Sequence, residues 1–327
     1  VGPTSARILQ CLSEQPANAR QALHDLNSRY LTPEEDPFTP IPFFSHQEDA
    51  GFLAQASRED MQLWGLDQEF CYGLTLLLDE MASRAKAAGL FEGIKKKWTN
   101  AYHFVETQIH KEVNEDRYPM FRKLTENDIL QQTLDYFAGR DKVLEKMVSD
   151  FRKTVAIYLD NEESRYYQNN KGRAQHMKDN FMYAYQEALR KEASPRFFIK
   201  MGGMHTGRGM NPLEVYDIGN TISELAAMNN GRSLHIDCML RYYEEEGQIK
   251  DRLDNPNQWV QRYKVFLQQG KKDRWTLIDL RPLINKVFYF KGMKTSEAVK
   301  DLIKSHDFIL IPPVDQDPTP NFTKKLK

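Results

Sequence analysis

Cysteine is scarce: Cys11, Cys71 and Cys238 are the only three in 327 residues, and no CxxC occurs. That excludes a zinc ribbon and a dithiol redox pair. The odd count excludes a complete disulfide framework and leaves room for one bridge. Charge of one sign is lacking as well. Lys and Arg total 45 against 46 Asp and Glu, for a net charge of −1. The basic excess or stripe of a general nucleic-acid binder is therefore missing. The short basic runs at 95–97 and 324–327 read as a solvated helix face and a tail. No apolar run approaches the length of a transmembrane helix. No signal peptide is visible, and no internal repeat or low-complexity tract occurs. The common hydrolase and nucleotide motifs HExxH, GxSxG and GxGxxG are all absent.

What is present is a core-sized apolar fraction of 40% and a length that fits one large α/β domain or two smaller ones. Segment 1–30 has apolar residues at helical spacing, and four prolines make 31–45 an extended loop. A helix then follows with Ser45 as its cap. "MQLWGLD" (61–67) reads as a buried strand, and the next stretch as a helix closed by Gly89. Between 93 and 193 the sequence is charged and keeps the 3.6 period, as expected of a helical insertion or subdomain. Strands are expected again at "RFFIKMGG" (196–203), 232–240, 274–283 and 307–313, with helices at 215–230 and 296–306. Segment 241–273 is polar and fits either a surface hairpin or a helical excursion. Strands alternating with helices predict an α/β fold, with a mainly parallel central sheet flanked by helices and the insertion added to it. In that scheme 1–92 and 194–327 form the α/β core.

Three constellations carry candidate chemistry. The first is "GGMH" at 202–205. Ligands bind outside the carboxyl ends of strands in open α/β sheets, and a histidine there suits acid/base work. Gly202 and Gly203 allow close approach to the backbone; the plainer reading is a loop histidine bonded to a carbonyl. Arg208, between Gly207 and Gly209, is placed to meet an anion, or else lies in a flexible loop. The second is "GLDQE" (65–69), where Asp67 and Glu69 either cap a helix or orient the imidazole. The third is "GRAQHMKDNFMYAY" (172–185). On a helix, Arg173, Met177, Asn180 and Ala184 share one face, with His176 and Asp179 beside it. This is either a solvated edge or a set of polar spots turned into a cleft.

The other histidines are weaker candidates. His103 and His110 lie two turns apart on one helix, too far for a shared metal. His235 alternates with Leu234 and Ile236 and so faces away from them, while His24, His46 and His306 have no evident partners. Cys238 reads as a small buried side chain.

In order along the chain, "WGLDQ", a helix with R…M..N, "H.GRG", "W.LIDLR" and "DFILIP…PTP" resemble the erythromycin esterase-like proteins. That family belongs to a wider grouping with the ChaN-like and TraB/Tiki-like proteins. The ordered set spans about residues 1–321. The resemblance implies an α/β core with helical elaboration and a hydrolase that activates water with a histidine and carboxylates. It matches His205, Asp67, Arg173 and Asn180 to the family's motifs; with the readings above, the catalytic candidates are His205, Asp67 and Glu69, and the substrate-binding candidates Arg173, Asn180, Arg208 and Lys200. In the Tiki-like branch a glycine-x-x-histidine motif, which Gly202–His205 fits, serves a metal-dependent peptidase. A divalent metal is thus admitted by the resemblance, while the residues themselves require no cofactor.

The macrolide esterases carry a second histidine where this chain has Gly202, and an aromatic residue where it has Lys200. Macrolide hydrolysis is therefore not expected, and the substrate, a small molecule, stays open. The family's glycine-glutamate-x-histidine segment and second glutamate are not found, and "VGPTSA" resembles the residues that follow that glutamate. Two alternatives stay open. ChaN-like relatives bind haem, and His205, Tyr183, Tyr185 and the methionines are the residues that would line such a site. The other is a non-catalytic fragment. The resemblance is compatible with export and leaves the oligomeric state undefined.

Overall fold

The computed structural model describes residues 1–14, 17–289 and 294–324; Lys325–Lys327 of the basic tail lie outside the described residues. The chain divides into two compact units, Val1–Pro195 with Pro318–Lys327, and Arg196–Asp317. Among the described residues, no helix is long and apolar enough to cross a membrane.

The larger unit is helical. It contains α1 (Pro3–Ser13), α2 (Ala19–Arg29), α3 (Gln47–Arg58), α4 (Leu74–Ala87), α5 (Lys95–Asn114), α6 (Met120–Glu126), α7 (Asp128–Phe137), α8 (Lys142–Glu162) and α9 (Tyr166–Leu189). Local sequence sets several starts. The Asn127 side chain accepts the Leu130 N–H at the head of α7, and Asp141 accepts from Val143 and Leu144 at the head of α8. At α3 the cap is His46, one residue later than expected, with Asp49 accepting the His46 backbone N–H at 2.9 Å. Leu74, Leu77, Leu78 and Met81 of α4 recur every third or fourth residue. They pack with Val105, Leu130, Leu134, Phe151 and Val155 in one core. The helices of 95–162 therefore share a core with α4. Leu9, Leu23, Ile41 and Leu53 form a second cluster under α1–α3. The chain end is tied to this unit, since Asn321 N–H donates to the Ser45 carbonyl at 2.8 Å.

The smaller unit contains α10 (Gly203–Thr206), α11 (Ile218–Met228), β1 (Ile236–Cys238), β2 (Tyr242–Glu245), β3 (Gln248–Asp251), α12 (Gln258–Leu267), β4 (Thr276–Asp279), α13 (Ile284–Tyr289), α14 (Glu297–Ser305) and β5 (Phe308–Ile311). Its main sheet has the order β1-β5-β4. Ile236 lies opposite Phe308 in the parallel pair, and Thr276 opposite Ile311 in the antiparallel one. Ile309 and Ile311 of β5 pack with Leu267, Val299 and Ile303 in the core. Both alternatives for 241–273 occur. β2 and β3 form a hairpin whose turn residues Glu246 and Gly247 have φ of 52° and 71°, as a type I′ turn requires, and α12 follows.

These observations correct the expected fold class. The described residues are 55% helical, with five short strands in two small sheets among them, not a mainly parallel central sheet flanked by helices. Among the named strands only β1 and β5 pair in parallel, with one isolated parallel bridge from Tyr243 to Asp315 besides. The strands expected at 61–67 and 196–203 have no ladder partner among the described residues, and Gly203 already opens α10. In 61–67 the backbone instead bonds to the first helix region: Leu63 N–H donates to Gln10 Oε1 at 2.8 Å and Asp67 N–H to the Val1 carbonyl at 3.1 Å. A short apolar run marks burial or extension, and it does not by itself specify a ladder.

Candidate functional site

In the helical unit the sequence candidates are tied up in pairs. Arg173, on α9, makes a two-pronged contact with Asp67: Nε donates to Oδ1 at 2.9 Å and one terminal nitrogen to Oδ2 at 2.6 Å. Burial pushes the Asp67 carboxyl up, but the Arg173 hydrogen bonds and charge outweigh it and leave it below the usual range. Asn180 lies two turns further along α9. Its amide donates to the Leu66 carbonyl at 2.9 Å, and Lys146 donates to its Oδ1 at 3.1 Å. His176, one turn before it, is buried beside Asn180. Burial, then Lys146 and Lys153, bring its imidazole down to about 4. Glu69 is fully buried. Its Oε1 accepts the Thr4 N–H at 2.7 Å and its Oε2 the Ser5 hydroxyl at 2.6 Å, so it closes the N-terminus of α1. Burial raises its carboxyl above the ordinary range, against the Ser5 and Thr4 hydrogen bonds. Tyr185 stacks on Phe181, and Tyr183 is exposed.

The smaller unit holds a different arrangement. His205 does not end a strand; it lies in the single helical turn α10, and only 11% of its side chain is exposed. Its Nδ1 is 2.7 Å from Asp217 Oδ2. An ionised carboxylate only accepts, so Nδ1 carries the hydrogen, and in the neutral form of the ring Nε2 is the acceptor. Nε2 has no hydrogen-bond partner among the described residues.

Asp217 is buried and held from three sides. It takes the His205 bond, the Asn211 amide on the same oxygen at 3.1 Å, and the Ile218 N–H on the other oxygen at 2.7 Å as the cap of α11. Asn211 also donates to the Met204 carbonyl at 3.1 Å, which ties the loop back to α10. Of the two glycines, only the second is required by space here. A Cβ on Gly202 would face the imidazole Cδ2 edge at 3.7 Å. One on Gly203 would strike Asp237 Oδ1 at 2.8 Å. Asp237, in the middle of β1, is pushed up to about 6 by burial, with the Cys238 N–H opposing.

The remaining candidates fall as follows. Arg208 pairs with Asp307 and does not present a free guanidinium. Lys200 is exposed on the extended segment before α10. Its charge lowers the Cys238 thiol, against the larger upward effect of burial. The three cysteines are free. Cys238 is exposed rather than buried, because strand alternation puts Asp237, not its neighbours, towards α10. His235 is buried while Leu234 and Ile236 are exposed, as the alternation predicts. His306 does have partners, Ser305 and Thr206. Among the described residues, no group of three or more His, Cys, Asp and Glu is placed to hold a metal ion.

Sequence reasoning paired His205 with the wrong region of the chain. The carboxylate that orients it lies twelve residues on. A signal for Asp217 exists, since it stands just before the helical pattern of 218–228 as a cap. For Asp237, one aspartate in an apolar strand carries no signal of its own.

No family model matches this chain, and no curated protein matches it. A crystal structure of a protein from Bacillus cereus is similar over 92% of this chain and 80% of its own, at 14% identity and a TM-score of 0.47.

Proposed function

We propose that the Arg196–Asp317 unit carries a hydrolase site of the erythromycin esterase-like kind, in which His205 activates water and a small-molecule ester is the substrate class. The observation that carries this reading is the buried His205 Nδ1–Asp217 contact at 2.7 Å with Nε2 left unpartnered among the described residues. Asp217 fixes the tautomer and stabilises the imidazolium that forms when Nε2 takes a proton from water. The water oxygen then attacks the acyl carbon. Asp237, protonated in a useful fraction near its value of about 6, is the group to return a proton to the departing alkoxide. Gly202 and Gly203 keep the approach to both groups free of side chains. Asp67 and Glu69, proposed from the resemblance as catalytic carboxylates, are replaced in this scheme by Asp217 and Asp237. Their own bonds serve Arg173 and α1.

The test is hydrolysis of a panel of chromogenic esters by the full chain. His205→Ala should lower kcat/KM by roughly 10²–10⁴-fold with the fold intact, the range for removing a general base. Asp237→Asn should abolish a falling limb of the pH profile near 6. An active ester with His205→Ala at full rate would refute the reading.

A further inference from the structure

The turn that carries His205 is gripped by two histidines that the proposed hydrolytic step does not use. His235 stands just before β1 and His306 just after α14, and both are buried. His235 Nδ1 lies 2.6 Å from the Thr206 carbonyl oxygen. A carbonyl only accepts, so Nδ1–H donates. Its Nε2 is 2.9 Å from Ser233 Oγ, and its backbone N–H donates to Asp307 Oδ2 at 2.8 Å.

His306 Nε2 lies 3.3 Å from Thr206 Oγ1, and its Nδ1 2.8 Å from Ser305 Oγ. The Thr206 hydroxyl also reaches the Gly203 carbonyl at 3.0 Å. The Ser305 hydroxyl likewise reaches the Leu302 carbonyl at 3.2 Å, so a neutral His306 donates to one of these two hydroxyls and accepts from the other. Gly207 fits flat against this ring; a Cβ there would lie 3.0 Å from His306 Cε1. Arg208 completes the grip, with its N–H on the Ser305 carbonyl at 3.0 Å and its guanidinium on Asp307. Both imidazoles thus hold Thr206, the residue directly after His205.

We propose that His235 and His306 are positioning residues for His205, forming a neutral-histidine latch on the 202–209 turn that acid releases. The charged and titratable groups facing the two rings are Arg208, Asp307 and each other. Arg208 and Asp307 balance one another, so a proton on either ring adds an uncompensated positive charge in a buried place. Burial first, then His235 and Arg208, bring the His306 imidazole down to about 4. Burial, helped by Arg208 and opposed by the Thr206 carbonyl, holds His235 below its ordinary value. Once released to water both rings would titrate near ~6.5. The latched turn therefore binds fewer protons than the released one between about 4 and ~6.5. A fall in pH through that window favours release, by up to roughly tenfold per pH unit for each ring. The latch matters for function only if His205 is the working base, but it is measured on the turn itself, without substrate.

The experiment is backbone hydrogen exchange of the full chain, read by mass spectrometry at about pH 7.5 and about pH 5 and corrected for intrinsic rates. A peptide from α8 serves as reference. The peptide covering 202–211 should lose at least roughly tenfold protection at the lower pH while the α8 peptide does not. The double variant His235→Gln with His306→Gln should lose that pH dependence. Protection that does not change with pH, or that changes equally in the double variant, overturns the proposal. If the double variant does not fold, ring nitrogen NMR of the unsubstituted chain decides. His306 should stay neutral down to about pH 5, and a titration at the ordinary ~6.5 overturns the latch. Failure of the hydrolase reading would instead appear as no His205-dependent hydrolysis with the acid-labile turn still present.

Discussion

In the helical unit the buried polar side chains singled out from the sequence are consumed. Asp67 is taken by Arg173, Glu69 by the first turn of α1, and Asn180 by the Leu66 carbonyl and Lys146. In the smaller unit His205 spends one ring nitrogen on Asp217 and keeps the other, while Asp237 on β1 faces Gly203 of the same turn with a raised pKa. Both regions bury charge, and the difference lies in what is left over. A buried group whose hydrogen bonds are all made is part of the scaffold. A buried group with one hydrogen bond fixed and one open is poised for chemistry. The scaffolds differ as well: one unit has a continuous apolar core across α4–α8, the other a small core under three short strands.

The largest effect expected tests the difference in scaffold. Phe151, on α8, is fully buried in the larger core. Phe151→Ala should cost about 3–5 kcal/mol in urea unfolding followed by far-ultraviolet circular dichroism. Ile309→Ala on β5 removes a smaller side chain from the smaller core and should cost about 2–4 kcal/mol. If Phe151→Ala cost less than Ile309→Ala, the helical unit would not be the better-packed of the two.

That core was legible in the sequence because the 3.6-residue period of α4, α5, α7 and α8 is a local property. The spacing of Leu74, Leu77, Leu78 and Met81 states both the helix and its buried face. The sheet was legible only in pieces. Strands at β1, β4 and β5 were expected, but whether an apolar run finds a ladder depends on partners remote in sequence. "MQLWGLD" and "RFFIKMGG" found none among the described residues. The site divides in the same way. His205 was visible from its glycines, and the Asp67–Arg173 pair joins two motifs singled out separately. The Asp217 contact required knowing that the loop 207–216 folds back, which Asn211 arranges through the Met204 carbonyl and Asp217 itself. His306 looked unsupported because its partner Thr206 lies 100 residues away.

The next effect tests whether the Asp67–Arg173 pair is scaffold. Arg173→Met should cost about 2–3 kcal/mol near neutral pH. That is below the full range for a broken buried pair, because a third of the Arg173 side chain is exposed. The Asp67 carboxyl is held below its unfolded value, so the stability it contributes is present above about pH 4 and is lost as pH falls through the lower folded value. The cost of Arg173→Met should therefore shrink in acid. An equal cost at about pH 7 and about pH 2 would mean that packing of the long side chain, not its charge, is what α9 uses.

The smallest effect has the opposite sign, and it separates a functional carboxyl from a structural one. Burial raises Asp237 to about 6, so the folded protein binds its proton more tightly than the unfolded chain. The stability tied to that proton is full below about pH 4 and lost as pH rises through about 6. Above that point the ionised group weighs against the fold. Asp237→Asn should thus stabilise the protein by about 1–2 kcal/mol near pH 8 and change little near pH 4, measured as shifts in the urea midpoint. In the same variant the proposed His205-dependent ester hydrolysis should fall. Gain of stability with loss of activity is the behaviour of a group kept in an unfavourable place for its chemistry. If Asp237→Asn instead destabilised at pH 8, as Arg173→Met should at neutral pH, Asp237 would belong with Asp67 among the scaffold carboxylates, and His205 would work with Asp217 alone.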